Sequence, residues 1–183
     1  MYIKIILVVD VKKLTSDLLE EINFMRNNPK QYARTIENHI QYIVNKDNQI
    51  YYENMEYKVP LYKGEAAFHQ CINILKNTIA LKRFEYTDLI RVVCGDKLED
   101  QDKVDDLVKE IKSKFPERKI EFNYEFVYAK PEIITVMLLV DDNPRQIHSK
   151  RSNLLNEDFR NLGISIKKAA KGKLFCLYLT YSD

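Results

Sequence analysis

Apolar residues recur at helical spacing through most of the first 115 residues and at strand spacing in the last third of the chain. The first helical stripe consists of Leu18, Leu19, Ile22 and Met25. Thr15 and Ser16 stand before it as candidate N-cap residues, and the Asn27–Pro29 segment ends it. This pattern predicts one amphipathic helix near the N-terminus.

Four more helices follow from the same spacing. The second begins with Pro29 in its first turn and buries Tyr32, Ala33, Ile36, Ile40 and Ile43. The third begins at Gly64–Glu65 and buries Ala67, Phe68, Cys71, Ile72 and Leu75. A fourth begins at Thr87 or Asp88 and buries Leu89, Val92 and Val93. The fifth has the clearest stripe, Val104, Leu107, Val108, Ile111 and Phe115.

Strand spacing dominates after Pro116. Residues 120–126 alternate between apolar and polar types, which predicts a strand with one wet face. Residues 163–168 and 174–181 predict a closing hairpin, whereas residues 131–140 fit either a strand or a helix. The polar, tyrosine-rich segment 45–62 is interpreted as an irregular loop. Helices first and strands late indicate an α+β fold.

The N-terminus predicts a short extension followed by one domain. Ile5 to Val9 form a β-branched run that favours a first strand, and Asp10 and Lys12 end it too early for a secretory or membrane segment. We therefore expect residues 1–13 to form an N-terminal strand or extension and residues 14–183 to form a single domain. A cytoplasmic protein without a classical signal peptide is the corresponding expectation.

Composition narrows the classes of function. The 29 basic and 27 acidic residues nearly cancel, so charge gives nucleic-acid binding no support. Cys71, Cys94 and Cys176 are odd in number and widely spaced, which favours reduced thiols in or near the core over disulfides or a zinc ribbon. The 12 tyrosines and the frequent Asn, Ile and Lys are typical of AT-rich genomes, such as those of ciliates or apicomplexans.

Three segments together resemble the CAP superfamily, the domain of cysteine-rich secretory proteins, antigen 5 and plant pathogenesis-related proteins. Residues 21–33 are similar to its opening N-x-x-R-x-x-P-x-x-Y-A helix, and residues 64–75 to the E-A helix of a divergent, intracellular eukaryotic branch. Residues 140–164 are the most specific, because they keep D-D, R-x-N-L-L, a phenylalanine and G-I in the family's order. The resemblance covers about residues 14–181.

This resemblance implies an α-β-α sandwich with helices packed on a small, mostly antiparallel sheet. It also implies that residues 133–140 form a helix packed against that sheet. The residues that carry the family motifs are expected to be structural: Asn23, Arg26, Pro29, Tyr32, Asp141, Asp142, Arg151, Asn153, Phe159 and Gly163. For Arg151 we expect bidentate bonds that hold a turn.

The metal site of the family is mostly absent from this sequence. Aligned on Arg151, the family's histidine falls on Lys150, and His148 lies two residues before that position. Glu125 is the counterpart of the cleft glutamate, and the interval from Cys94 to Lys114 contains no histidine. One histidine and one glutamate do not fill a zinc shell, so we expect no metal and no cofactor. Lys150 is expected to be a solvated charge or an anion contact.

Other candidate sites are explained by ordinary structure. His39 is expected on the polar face of its helix, in solvent. His69 and Cys71 are two residues apart on a helix and so point apart, which argues against a nucleophilic pair. The acidic cluster at residues 99–106 lacks the register of a calcium loop and is interpreted as a solvated helix start.

The resulting hypothesis is a CAP-like structural and interaction module without enzymatic activity. Tyr51, Tyr52, Tyr57 and Tyr62 are the expected contact residues, because tyrosine is enriched at interfaces. The expected setting is a large cytoskeletal assembly, such as a ciliary axoneme, with protein partners. Two alternatives stay open. One is a lipid or sterol carrier, and the other is a divergent hydrolase that uses His148 and Glu125 as base and acid.

Overall fold

A computed structural model of the chain describes residues 9–54, 58–88, 104–127, 130–142, 149–168 and 174–182. Helix α1 (Val11–Asn27) begins earlier than predicted, because the Asp10 carboxylate accepts a hydrogen bond from the Lys13 amide at 3.1 Å. Thr15 and Ser16 therefore lie inside the helix, and the predicted N-cap is wrong. Helix α1 spans the position after residue 13 where the extension was predicted to end, and most of the predicted first strand lies outside the described residues.

Helix α2 (Pro29–His39) begins with proline as predicted and continues into a 3-10 turn, Ile40–Tyr42. It packs against α3 (Glu65–Asn77). All five apolar residues predicted for the inner side of α3 are buried, and so are Tyr32, Ala33 and Ile36 of α2. Helical spacing therefore located the inner face of α3 and most of the inner face of α2. Ile40 and Ile43, predicted to continue the face of α2, are only partly buried, and Ile43 lies in a strand, so the predicted helix is too long.

The segment predicted as a loop is an antiparallel sheet of three strands, so that prediction is wrong. The strands are β1 (Ile43–Lys46), β2 (Gln49–Glu53) and β3 (Lys58–Leu61). Asp47 and Asn48 join β1 to β2 with φ of 53° and 59°, a two-residue turn whose left-handed backbone Asp and Asn tolerate. Gly64 follows with φ of 57°, and a Cβ atom there would lie 2.9 Å from Ile50 Cδ1.

The second half of the described chain begins with α4 (Val104–Lys114) and β5 (Ile120–Val127), both as predicted. Residues 131–140 are helical, which confirms the interpretation based on the resemblance; this is α5 (Pro131–Val140). The main neighbours of α5 are α1, α3 and the short α6 (Lys150–Leu154), rather than a sheet. An almost wholly apolar helix needs such burial on several sides.

A second sheet has four strands in the order β4-β6-β7-β5. Strand β4 (Glu85–Tyr86) pairs in parallel with β6 (Asn161–Lys168), and β6 and β5 both pair antiparallel with β7 (Leu174–Tyr181). The predicted hairpin is confirmed. The predicted helix with Leu89, Val92 and Val93 lies outside the described residues.

The elements share a hydrophobic core. Buried residues of α1, α2, α3, α5, α6, β2, β3 and β6 form one continuous cluster, and α1 packs against β6. Helices combined with small, mostly antiparallel sheets confirm the α+β fold class, although the three-stranded sheet was not predicted. In the described part of the chain, no helix is long and apolar enough to cross a membrane.

Candidate functional site

Arg26 is the most deeply buried charge of the family motifs. It lies in the last turn of α1 with no exposed surface. Its guanidinium donates to four backbone carbonyls at 2.6–3.2 Å, those of Lys82, Leu154, Asn156 and Phe159. It also stacks on the Phe84 ring, with Cζ 3.8 Å from the centroid. One side chain thus joins α1 to the segments before β4 and β6.

Charge at Arg26 persists despite this burial. Burial, and to a lesser degree the charge of Arg160, lowers the pKa of Arg26 to about 10. The guanidinium is therefore still protonated at neutral pH, and all its hydrogen bonds to carbonyls are charge-assisted. A planar group with several donors suits carbonyls that converge from different directions. Arg26 is a structural residue by this geometry, as predicted.

Two asparagines of the motifs also act on the fold. The Asn23 side-chain amide donates to Phe84 O at 3.1 Å, and its carbonyl oxygen accepts from Phe84 N at 2.6 Å. Asn23 therefore satisfies both backbone groups of Phe84, as a neighbouring strand would, directly before β4. Asn153 donates to Asn123 Oδ1 at 2.7 Å and thereby joins α6 to β5. Both pairs are buried, and such internal bonds are needed to offset the cost of burying amides.

The aspartates after α5 organise the neighbouring loops. Asp142 accepts backbone hydrogen bonds from Tyr62 and from Lys63, the latter at 2.7 Å, and is nearly buried. Asp141 ends α5 in the left-handed conformation, φ 51°, and accepts from the Ser149 hydroxyl at 2.6 Å. The Asp142 carboxylate therefore fixes the loop between β3 and α3 against the end of α5.

Arg151 holds this region from the other side. A single guanidinium nitrogen lies 3.1 Å from Leu139 O and 3.4 Å from Val140 O. The turn-holding role is as predicted, but one nitrogen is shared between two carbonyls, and the contact is not a two-nitrogen fork. Lys150 is buried, so the expectation of a solvated charge there is wrong.

The remaining motif residues lie in the core or at its edge. Pro29 starts α2, and Tyr32 donates to Glu21 Oε1 at 2.7 Å. Phe159 is fully buried, and Gly163 is a buried residue of β6 that faces Leu179 of β7. Every residue that carries the resemblance thus contributes to packing, capping or backbone hydrogen bonding.

The predicted acid–base pair cannot be assembled from the described residues. His148 lies outside them, and the side chain of Glu125, a residue of β5 opposite Cys176, lies outside them too. The same holds for Tyr57, for Cys94 and for most of the acidic cluster at residues 99–106. Within the described ranges, no group of three or more His, Cys, Asp or Glu side chains could hold a metal ion.

Cys71 is an inert thiol. It is fully buried, and burial raises its pKa to about 11, against a smaller opposing effect of Arg151. The thiolate needed for nucleophilic attack is therefore scarce at neutral pH. His69 is exposed and bonded to Glu65 one turn away at 3.1 Å, so it points away from Cys71 as predicted.

His39 is buried, not solvated, and this overturns the prediction for it. Only 6% of His39 is exposed. Its Nδ1 lies 2.7 Å from the Tyr52 hydroxyl, and its Nε2 lies 2.9 Å from Glu132 Oε1. These three residues belong to α2, β2 and α5. They border a cleft of about 240 Å³ at the N-terminus of α5.

The hydrogen-bond directions in this triad follow from the acid. An ionised carboxylate has no proton to donate, so Nε2 of His39 carries the hydrogen. Burial raises the pKa of Tyr52 to about 12, although a hydrogen bond with Asn54 opposes the shift. Tyr52 is therefore protonated at neutral pH, and its hydroxyl donates to Nδ1 in the tautomer of His39 that carries its hydrogen on Nε2. The order of donation is Tyr52 to His39 to Glu132.

Replacing Tyr52 with phenylalanine is expected to lower the free energy of unfolding by about 1–2 kcal/mol at pH 7, because a buried imidazole nitrogen loses its donor. The pKa of Tyr52 is about 12 in the fold against 10.0 normally, so its contribution is fully present below pH 10. It is lost as the pH rises from 10 to 12. Urea unfolding between pH 7 and 11 measures this.

In these titrations, the gap between wild type and Tyr52→Phe should shrink as the pH rises above 10. The exposed Tyr62→Phe is the matched control and should give no gap at any pH. A gap that stayed constant through pH 11 would disprove the coupling between Tyr52 ionisation and stability.

The tyrosines of the predicted contact patch separate onto two faces. Tyr52 points into the core with no exposed surface, so its assignment to a contact patch is wrong. Tyr51 is partly exposed on the other face of the sheet, where it pairs with Val44 on one side and Pro60 on the other. Tyr62, which is 56% exposed, follows Pro60 by two residues. We call Val44, Tyr51, Pro60 and Tyr62 the outer face.

Basic side chains lie beside the outer face. Lys58 has Nζ 4.1 Å from the centroid of the Tyr51 ring and 3.1 Å from Glu53 Oε2. Lys46 ends β1 opposite Gln49 and is exposed. Strand alternation places Lys46 and Lys58 on the same side of the sheet as Tyr51. The outer face therefore combines an apolar centre with a basic margin.

Comparisons of the chain with family models, with curated proteins and with solved structures gave no match. Membership of the CAP superfamily is therefore a proposal that depends on the residues of the three motifs.

Proposed function

We propose that this chain is a CAP-like module that binds other proteins and has no enzymatic activity of its own. The observation that carries the proposal is that the motif side chains bond to other parts of the same fold. Arg26, Asp142 and Arg151 are engaged with backbone atoms of the fold, and Asn153 with another asparagine. Side chains engaged in this way hold a surface in shape and are not available to a substrate.

The outer face is the contact surface in this proposal. Its apolar residues come from three adjacent strands, and Tyr51 and Tyr62 are of the type enriched at protein interfaces. The opposite face of the same sheet packs into the core through Tyr52 and Leu61, which makes the surface rigid. The lysines beside it suit a partner with an acidic margin around an apolar centre.

The partner is a subunit of a larger assembly, and a cytoskeletal assembly such as a ciliary axoneme is the setting that we propose. Balanced charge, 29 basic against 27 acidic residues, fits a protein partner better than a nucleic acid. A composition rich in Tyr, Asn, Ile and Lys, typical of ciliate-like genomes, supports the choice of assembly.

Replacing Tyr51 and Tyr62 together with serine is expected to abolish partner binding while the chain stays folded. The loss of the Lys58–Tyr51 contact and of the pairing across the strands should cost about 1–2 kcal/mol of stability. The measurement is co-purification of the tagged full chain from the cells that produce it. We expect wild type and the control variant Tyr86→Ser to recover the same partners, and only the double variant to lose them.

Equal partner recovery by the double variant and by wild type would show that the outer face does not bind the partner. An unfolded double variant, seen by circular dichroism, would instead show that these tyrosines support the fold, and this too would contradict the proposal. Single variants at Tyr51 and Tyr62 then separate the contributions of the two side chains.

A further inference from the structure

The cleft at the N-terminus of α5 contains polar chemistry that the outer face does not use. Its volume is about 240 Å³, and its lining includes Asn38, Gln41, Tyr42, Asn54 and Glu132. Drug-sized ligands need pockets of roughly 300–1,000 Å³. A cleft of this size suits one small functional group and a few atoms around it.

Glu132 is the anchored charge of the cleft. More than half of its side chain, 57%, is exposed, and such a carboxylate ordinarily moves among several rotamers. Here the buried His39 holds Oε1 at 2.9 Å, and Tyr52 fixes the imidazole at 2.7 Å. The buried His39 and Tyr52 thus hold one orientation of a carboxylate that water alone could have hydrogen-bonded.

Two further features suit this acid to a ligand. Glu132 lies in the first turn of α5, so the helix fixes its backbone at the edge of the cleft. The Tyr42 ring is fixed by edge-to-face contacts with His39 and Tyr52, with centroids 5.8 and 5.7 Å away. An oriented anion and a fixed aromatic ring therefore border the same space.

We propose that this cleft binds a guanidinium or ammonium group. Glu132 supplies the opposite charge, Tyr42 supplies an aromatic surface for the cation, and the amides of Asn38 and Asn54 supply hydrogen-bonding groups. Lys130 also borders the cleft, and its like charge weakens the binding. This inference is independent of the proposed protein-binding function, because it concerns another surface.

A titration of the full chain with capped amino acids tests the cleft. The probe is N-acetyl-arginine methylamide, and its neutral control is the citrulline analogue of the same shape. We expect the arginine probe to bind with a Kd of about 1 mM and the citrulline probe to bind at least tenfold more weakly. Shifts of NMR signals from Tyr42 and Ile133, which line the cleft, locate the site.

Two charge variants give opposite expected signs. Glu132→Gln keeps an acceptor for His39 and should weaken the arginine probe about tenfold or more. Lys130→Gln removes the repelling charge and should strengthen it several-fold. Gln41 lines the cleft but is uncharged, so Gln41→Ala is a control that should leave the difference in affinity between the two probes in place.

The inference is overturned if both probes bind with equal affinity, or if neither shows binding at a probe concentration of roughly 20 mM, 20-fold the expected Kd. It is also overturned if Glu132→Gln leaves the affinity for the arginine probe unchanged while the variant melts like wild type. If Glu132→Gln fails to fold, the Lys130→Gln result decides, and unchanged or weaker binding overturns the inference. Tighter binding of free agmatine than of a Gly-Arg-Gly peptide assigns the cation to a small amine. The reverse order assigns it to a polypeptide side chain, and either order supports the site.

Discussion

Replacing Arg26 with methionine is expected to lower the free energy of unfolding by about 3–5 kcal/mol, the largest effect of any substitution considered for this chain. Methionine fills part of the volume, but the four carbonyls that accept from the guanidinium lose their donor. A buried acceptor without a partner costs about 1–3 kcal/mol. Urea unfolding followed by circular dichroism measures the loss.

Arg34→Met is the matched control, because Arg34 is exposed on α2 and should change stability by less than about 0.5 kcal/mol. Arg26→Lys should lie between wild type and methionine, since an ammonium keeps the charge but not the planar set of donors. If Arg26→Met proved as stable as the control, Arg26 would not be the residue that joins α1 to the segments before β4 and β6.

Replacing Asp142 with alanine is expected to cost roughly 3 kcal/mol, because two backbone amides lose a charged acceptor. The amides of Tyr62 and Lys63 both donate to this carboxylate, and alanine offers them no acceptor. The loop between β3 and α3 should loosen as well. Hydrogen exchange at Lys63 should quicken more than exchange in α1.

For Asp142, the matched control is Asp158→Ala, since Asp158 is exposed and bonds to Asn156 through its backbone amide rather than its carboxylate. Asp142→Asn keeps one acceptor oxygen and should show an intermediate loss. Unchanged hydrogen exchange at Lys63 in Asp142→Ala would show that the loop is held by other contacts.

Helical periodicity predicted the helices and their buried faces because each helix presents one continuous stripe to the core. The stripe of α3 is an example, since Phe68, Cys71 and Leu75 are all fully buried. Exact starts were harder to predict, because α1 is capped by Asp10, which lies beside a run of lysines and β-branched residues. A cap depends on local backbone geometry that several neighbouring residues could equally provide.

The three-stranded sheet was missed because its composition resembles a loop. Its strands are short, the segment that contains them is rich in Tyr, Asn and charged residues, and one strand contains Pro60. A usable signal was present, since Ile50 and Tyr52 are two residues apart, between Gln49 and Glu53, directly after the Asp47–Asn48 turn. Short strands gain stability mainly from the core beneath them, which the sequence does not display.

The position of His39 was predictable from spacing, although its role was not. It lies three residues after Ile36 and seven after Tyr32, so it continues the buried stripe of α2. Its partner Glu132 is 93 residues away and comes from a helix whose own identity was ambiguous. Contacts between distant elements depend on tertiary packing, so local patterns could not reveal the triad.

The measurement that tests the central claim most directly is the native size of the endogenous protein in a gentle lysate, with lysine-directed crosslinking and mass spectrometry. Lys46 and Lys58 lie beside the outer face, and Lys63 follows Tyr62, so these lysines report on contacts there. For a protein-binding module, we expect elution in a large complex with crosslinks from these lysines to a partner protein. Elution as a free single chain, or crosslinks confined to other surfaces, would contradict it.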